Sequence, residues 1–113
     1  MKVAVVTSEV VPFSKTGGLA DVCGALPRAW ARLGAEVVVI TPRYRCTKTQ
    51  PAEETSQVLR IPLGSATIEA KVFRSSLDGV KVCLLEHAPF YDRDALYGTP
   101  QGDYPDNAAR FAL

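Results

Sequence analysis

Two stretches near the start of the chain decide the fold: Lys2-Val3-Ala4-Val5-Val6-Thr7 and, after a short connection, Ser14-Lys15-Thr16-Gly17-Gly18-Leu19-Ala20-Asp21-Val22. The first is short, apolar and β-branched, which is typical of a strand buried on both faces of a parallel sheet, and predicts a strand over about residues 2–8. Beyond the two glycines, apolar residues recur at helical spacing. This pattern predicts a helix over about residues 19–33 that Gly34 ends.

The connection between strand and helix has the chemistry of an anion site. Its two glycines lie where backbone N–H groups and the positive end of a helix dipole face outward, and a glycine lets a ligand approach the backbone closely. Lys15 adds a mobile ammonium, so we interpret the loop as a phosphate site. Neither the dinucleotide fingerprint G-x-G-x-x-G nor the P-loop pattern is present. On spacing alone, the alternative stays open that the glycines only shape the turn and Lys15 is a solvated surface charge.

The next segments predict a βαβ unit. Residues 36–41 form a second buried strand that Pro42 ends, and two parallel strands joined through a helix require a right-handed crossover. Pro27 lies inside the predicted helix and cannot donate to the carbonyl of Cys23. We therefore expect a kink or a restarted helix near Ala25.

The second half of the chain predicts three more strands after a polar loop over residues 43–57. The Asp78-Gly79 pair is a strong hairpin signal, because both residues tolerate a positive φ. The predicted elements are strands over about 58–63, 67–75 and 80–86, a short helix over 92–97, and a helix that begins at Asn107 with Asp106 as its N-cap.

Composition and charge exclude several classes of protein. With 113 residues, 47% of them hydrophobic, the chain is long enough for one domain with a core. A net charge of +1 gives no electrostatic basis for a nucleic acid or an anionic membrane as partner. No apolar run approaches the roughly 20 residues that span a bilayer, and Met1-Lys2 leads directly into a short strand rather than a signal peptide. We therefore expect a cytoplasmic protein.

The cysteines indicate neither a disulfide framework nor a metal site. Cys23, Cys46 and Cys83 are widely spaced, form no C-x-x-C pair and have only His87 as a possible nitrogen partner. Cys23 and Cys83 lie in apolar segments, so we interpret them as small core residues. We interpret His87 as a loop histidine whose ring is hydrogen-bonded.

Several blocks in a fixed order carry a family resemblance. They are SEVVPFSKTGGLADVCGALP at residues 8–27, TPRY at 41–44, FYDR at 90–93 with LYG at 96–98, and DY at 103–104 with DNAARF at 106–111. Together with MKVAVVT at the start, they resemble the N-terminal signature of bacterial glycogen synthases and plant starch synthases. The chain departs from the family pattern at Cys23, a small apolar substitute, and at Ala109, where an acidic residue is usual.

The resemblance implies a retaining glucosyltransferase that moves glucose from ADP-glucose to the non-reducing end of an α-1,4-glucan. It also implies the glycosyltransferase B-type fold, in which two Rossmann-like domains face each other across a cleft. Residues 1–113 would then form part of the first, α/β domain, with an inserted β-hairpin and without the C-terminal domain. The last predicted helix carries no stop signal, so we expect a truncated chain that is inactive by itself. No cofactor and no metal are implied.

The resemblance also assigns roles within the loop. Lys15 and the amides of Gly17 and Gly18 would contact the donor diphosphate, and Glu9 would face the acceptor glucan. Asp21 is equally well interpreted as an active-site contact or as a complement to the helix dipole. Tyr97 would stack on a sugar ring, although an aromatic residue between structured segments is as often a core residue. No nucleophile is assigned, and the pairs Arg43-Tyr44 and Asp103-Tyr104 are interpreted as architectural.

Two other classes of function remain as alternatives. One is a module that binds a sugar nucleotide or glucan without turnover. The other is an unrelated Rossmann-like oxidoreductase or kinase domain, which the missing nucleotide fingerprints disfavour.

Overall fold

The computed structural model describes residues 1–113 as a mixed α/β fold. In chain order the elements are β1 (Lys2–Val6), α1 (Gly18–Arg32), β2 (Glu36–Pro42), a 3₁₀ helix (Cys46–Thr49), β3 (Glu53–Leu63), β4 (Ala66–Leu77), β5 (Val80–Glu86), α2 (Ala88–Tyr91), β6 (Gly98–Thr99), β7 (Gly102–Asp103) and α3 (Asn107–Arg110). None of the helices is both long and apolar enough to cross a membrane.

One five-stranded sheet in the order β1-β2-β5-β4-β3 organises the fold. β1, β2 and β5 are parallel, whereas β4 and β3 continue the sheet in antiparallel fashion. The predicted βαβ unit is therefore confirmed in β1-α1-β2. The predicted hairpin is also confirmed: Asp78 and Gly79 have φ values of 46° and 85° and join Leu77 to Val80.

The core lies between α1 and the parallel part of the sheet. Its buried members are Val10, Phe13, Val37, Val39, Phe73, Val80, Val82 and Leu84, with Cys23 and Trp30 of α1 packed against them. A smaller cluster of Tyr44, Tyr91 and Leu96 packs below the carboxyl ends of the strands. The β-branched residues of β2 and β5 thus form the core as the sequence pattern predicts. The prediction that β1 is buried on both faces is wrong for these residues, because β1 lies at the edge of the sheet and none of its residues is fully buried.

Helix α1 contains Pro27 in its interior. It is one helix over Gly18–Arg32, so the alternative of a restarted helix near Ala25 is wrong, and Pro27 is completely buried. Proline removes one hydrogen bond to Cys23, and burial of the ring in the interface offsets that loss. The side chain of Arg28 donates to the carbonyl of Gly24 at 2.8 Å, which ties the same turn together. The predicted end is confirmed, since Gly34 follows the helix with φ 95°.

Four boundaries also differ from prediction. β1 ends at Val6, and β2 includes Pro42. β3 begins at Glu53, within the predicted loop, and the short helix lies at Ala88–Tyr91 instead of at 92–97. Proline at the second position of that helix supplies a suitable φ, a signal that the prediction missed. The early start of β3 reflects its place at the edge of the sheet, where polar residues are tolerated.

The last helix begins where predicted but lacks the predicted side-chain cap. α3 begins at Asn107, and the Asp106 side chain makes no capping bond to it. Asp106 instead accepts hydrogen bonds from Arg93 at 2.6 and 2.8 Å. A charged, bidentate partner is a stronger competitor for this carboxylate than a neutral backbone N–H.

Candidate functional site

Glu9 lies at the centre of the loop that joins β1 to α1. Its neighbour Val10 is fully buried in the core, and Glu9 itself is only 2% exposed. One carboxylate oxygen, Oε1, accepts the backbone N–H groups of Thr16 and Gly17, both at 3.2 Å. The other, Oε2, accepts the Thr16 hydroxyl at 2.7 Å. The carboxylate therefore holds the glycine loop from inside the protein.

Tyr97 reaches the same carboxylate from the far end of the chain. Its hydroxyl donates to Glu9 Oε2 at 2.5 Å and lies 2.7 Å from Ser8 Oγ, which therefore acts as the donor to Tyr97. The Tyr44 hydroxyl donates to the Ser8 carbonyl at 2.6 Å. Two of the predicted site residues, Glu9 and Tyr97, are thus in direct contact, although 88 positions separate them.

The hydrogen bonds decide the charge state of Glu9. Burial by itself raises the pKa of this carboxyl group, but the bonds from Tyr97, Thr16 and the Thr16 and Gly17 amides outweigh that effect, and the pKa lies below its ordinary value of 4.5. Burial and the bond to Glu9 raise the pKa of Tyr97 to about 12. At neutral pH the pair is a carboxylate held by a neutral phenol.

Glu9 makes all of its hydrogen bonds within the protein in this structure, and its role toward the acceptor glucan stays a prediction. Both of its oxygens point into the protein, and all its bonds are to the protein's own groups. Tyr97 likewise uses its hydroxyl internally, and its ring packs 5.7 Å from that of Phe111. The Tyr97 ring therefore packs within the protein, and its stacking on a sugar ring stays a prediction.

Lys15 and Asp21 form an ion pair on the outer surface of the loop. Lys15 Nζ lies 2.8 Å from both carboxylate oxygens of Asp21, and the two side chains are 53% and 57% exposed. Asp21 belongs to the first turn of α1. The structure therefore brings these two predicted site residues together, with the ammonium bound to a carboxylate that an anionic ligand could replace.

The two glycines differ in what their backbones offer. The Gly17 N–H is bonded to Glu9, whereas Gly18 is the first residue of α1, where an N–H has no partner within the helix. A Cβ atom at either position would meet nothing within 4 Å. The space over this turn is thus open to a ligand.

Arg43, Tyr44 and Tyr104, which were interpreted as architectural, make contacts within the protein. Arg43 donates to Glu86 at 2.9 Å and lies over the Phe73 ring, and Tyr44 belongs to the second core cluster. Tyr104 lies beneath the guanidinium of Arg93. His87, which was interpreted as a loop histidine with a hydrogen-bonded ring, is bonded through Nδ1 to the backbone carbonyl of Glu69 at 2.9 Å.

The sequence interpretation missed two groups that the structure brings to the strand ends. Thr41, the penultimate residue of β2, and Arg110, in α3, are both buried and line one cavity together with Ser8. Both residues lie inside blocks that were quoted for the family resemblance. Nothing in either block by itself indicates that they share a cavity, because they are distant in sequence.

Comparison with known proteins gives consistent matches along the chain. The family model described as the starch synthase catalytic domain matches residues 2–113. The chain is 48% identical over 114 residues to a glycogen synthase of Koribacter versatilis, 45% over 115 residues to one of Syntrophotalea carbinolica, and 46% over 115 residues to glycogen synthase 2 of Geobacter sulfurreducens. Each alignment covers 100% of this chain and 24% of the relative.

A solved structure also matches. The catalytic domain of starch synthase IV from Arabidopsis thaliana, bound to ADP and acarbose, superposes with a TM-score of 0.76 at 25% identity. The superposition covers 87% of this chain and 21% of that one. The chain therefore spans about a quarter of the length of the proteins that it matches.

Proposed function

Because this chain belongs to the starch synthase catalytic domain family, we propose that it is part of a retaining glucosyltransferase that moves glucose from ADP-glucose to the non-reducing end of an α-1,4-glucan such as glycogen. The resemblance seen in the sequence blocks is confirmed, as is the glycosyltransferase B-type fold. In this proposal residues 1–113 form part of the first Rossmann-like domain, and a second domain outside these residues supplies the opposite wall of the cleft.

The observation that carries the proposal is the held loop with Lys15 on its outer surface. Ligands of open α/β sheets bind beyond the carboxyl ends of the strands, and this loop follows the carboxyl end of β1. The buried Glu9 carboxylate fixes the loop backbone from below. An ammonium and a helix start then face outward, which is a favourable arrangement for a phosphate.

The chemistry of the donor explains why such a site would accelerate transfer. Breaking the bond between the anomeric carbon and the diphosphate builds negative charge on the distal phosphate while positive charge develops on the sugar. Lys15 would exchange Asp21 for that phosphate, and the Gly18 N–H would donate to it. Groups already in place at the developing charge stabilise the transition state more than the ground state.

Gly17 has a different role in this proposal from the amide donor first expected. Its N–H is bonded to Glu9, so its contribution is the missing side chain, which lets the diphosphate approach the loop. Asp21 serves as the resting partner of Lys15.

The test is glucose transfer from labelled ADP-glucose to glycogen by the full-length protein with Lys15→Ala. Loss of one electrostatic contact to the developing charge typically lowers the rate about a hundredfold or more, and we expect a fall of that size. Lys71→Ala is a matched control, because Lys71 is a similarly exposed lysine that lies 3.5 Å from a carboxylate. Unchanged turnover and donor affinity in Lys15→Ala would contradict the proposal. ADP binding by the wild-type protein without any transfer would instead indicate a binding module.

A further inference from the structure

The turn that follows β2, residues 44–47, lies against the loop that carries Lys15. Two of its side chains, Tyr44 and Thr47, are buried, at 1% and 0% exposure. The Tyr44 hydroxyl donates to the carbonyl of Ser8 at 2.6 Å, and the Thr47 hydroxyl donates to the carbonyl of Phe13 at 3.0 Å. The turn therefore holds the loop backbone at both ends of residues 8–13.

The two carbonyls belong to residues next to the groups of the proposed donor site. Ser8 directly precedes Glu9, whose carboxylate holds the glycine loop from inside the protein. Phe13 is 3% exposed and lies two residues before Lys15. A shift of either carbonyl would therefore move the carboxylate that holds the loop or the ammonium that faces outward.

The turn is itself held in place. The Thr47 hydroxyl oxygen accepts the backbone N–H of Tyr44 at 3.1 Å, and the Thr47 N–H donates to the Tyr44 carbonyl at 3.0 Å. Arg45, between these two residues, donates to the carboxylate of Asp92 at 3.0 Å. Since a hydroxyl has one hydrogen, the bond accepted from Tyr44 leaves that hydrogen for the Phe13 carbonyl.

Filling of the core does not by itself require these hydroxyl groups. The Tyr44 ring packs with Tyr91 and Leu96, a space that phenylalanine would also fill, and valine has nearly the shape of Thr47. What the hydroxyls add is a partner for a backbone carbonyl, and the one bonded by Thr47 is buried. A buried carbonyl without a partner is costly, so the backbone shifts to avoid it. The hydroxyls therefore determine where the loop lies.

We propose that Thr47 is a positioning residue for glucosyl transfer, which sets the place of Lys15 at the donor diphosphate through the Phe13 carbonyl, with Tyr44 as a second support at Ser8. The inference rests on the proposed function, because Lys15 is its target. A misplacement of about 1 Å by a change outside the reacting groups lowers a rate about a hundredfold, so a residue without substrate contact has a measurable effect.

The experiment compares Thr47→Val with Thr47→Ser in the full-length protein. We expect Thr47→Val to lower the affinity for ADP in calorimetry, and kcat/KM for ADP-glucose, by about tenfold. KM for glycogen should stay unchanged. Thr47→Ser keeps the hydroxyl and should stay within about threefold of wild type. A merely structural role would reduce the amount of folded enzyme, and so the apparent kcat, without changing the affinity for ADP.

Thr55→Val is the matched control. The Thr55 hydroxyl also donates to a backbone carbonyl, that of Val72 at 2.7 Å, but it lies in β3 and makes no bond to the loop. This variant should lose stability as Thr47→Val does and bind ADP as the wild type does. A loss of ADP affinity in Thr55→Val equal to that in Thr47→Val would overturn the inference.

A double variant tests whether Thr47 acts through Lys15. In a Lys15→Ala background, Thr47→Val should lower the ADP affinity by less than about threefold, because the group that it positions is gone. Losses that add in full would show that Thr47 acts elsewhere and would overturn the inference.

The outcomes separate this inference from the proposed function. If Lys15→Ala weakens ADP binding and Thr47→Val does not, the inference alone is wrong. If neither variant changes the affinity, the donor role of the loop is wrong and the inference falls with it. Should Thr47→Val fail to fold, Tyr44→Phe repeats the test, since it keeps the ring and removes only the bond to Ser8. Unchanged ADP affinity in that variant would likewise overturn the inference.

Discussion

Replacing Glu9 with glutamine should release the loop that carries Lys15 while changing the size of the side chain very little. The carboxylate accepts two backbone N–H groups on Oε1 and two hydroxyls on Oε2. Hydrogen bonds to a charged partner contribute about 1.5–3 kcal/mol each and neutral ones about 1 kcal/mol. Glutamine also replaces one acceptor oxygen with an NH₂ group, which would face N–H or O–H groups that donate to Glu9 in the wild type. We expect the loop to lose about 2–4 kcal/mol of local stability.

Hydrogen exchange at the Thr16 and Gly17 amides measures that loss directly in the full-length protein. Each 1.4 kcal/mol is a factor of ten in a local opening equilibrium, so exchange should accelerate between about thirtyfold and several hundredfold. Glu53→Gln, at an exposed position of β3, is the matched control and should leave these amides unchanged. If exchange at Thr16 and Gly17 in Glu9→Gln stayed within about threefold of wild type, the carboxylate would not be what holds the loop.

The same variant gives a pH signature. The pKa of Glu9 is lowered in the folded protein, so its contribution to stability is complete above the ordinary value of 4.5 and is lost as the pH falls through the lowered value. Protection of the loop amides should therefore decrease below pH 4.5 in the wild type. In Glu9→Gln this part of the pH dependence should disappear.

Two further variants test the neighbouring contacts. Asp21→Asn should change the free energy of unfolding by less than about 1 kcal/mol, because the Lys15–Asp21 ion pair is half exposed. It should also raise the affinity for ADP several-fold in calorimetry at low salt, because Lys15 loses the carboxylate that competes with the ligand. A weaker affinity would show that Asp21 orients the lysine instead. Gly24→Ala should lower the melting temperature by an amount equivalent to about 1 kcal/mol. The new Cβ would lie 3.1 Å from the Val11 carbonyl oxygen, and the strain of this contact exceeds the gain in helix propensity. Gly18→Ala meets no atom within 4 Å and serves as the control; equal melting temperatures in the two variants would refute the packing argument.

Local signals in the sequence predicted the framework of the fold. Gly34 ends α1, and Asp78-Gly79 forms the predicted turn. Both could be predicted because a positive φ is favoured by particular residue types, which can be recognised from one or two positions in the sequence. The helix does not restart at Pro27, which the sequence left as one of two alternatives, since the effect of a proline on a helix depends on what its ring packs against. That information belongs to the interface with the sheet and is absent from the helix sequence.

The residues of the loop could be identified from the sequence, whereas the hydrogen bonds that hold the loop in place could not. Lys15, Gly17 and Gly18 stand together in the sequence and could be read as one motif. The bond between Glu9 and Tyr97 joins positions 88 residues apart, and nothing local distinguishes an inward carboxylate from an outward one. The shared cavity of Thr41 and Arg110 likewise depends on the way β2 and α3 meet.

The long β3–β4 hairpin has a practical consequence. β5 pairs with β4 only from Lys71 to Leu77, so the outer half of the hairpin is paired solely within itself and ends in an exposed turn at Gly64-Ser65. Exposed loop tips of this kind tolerate insertions well. A fluorophore-labelling or affinity peptide inserted between Gly64 and Ser65 would thus report on the protein from a position that shares no hydrogen bond with the Glu9 network.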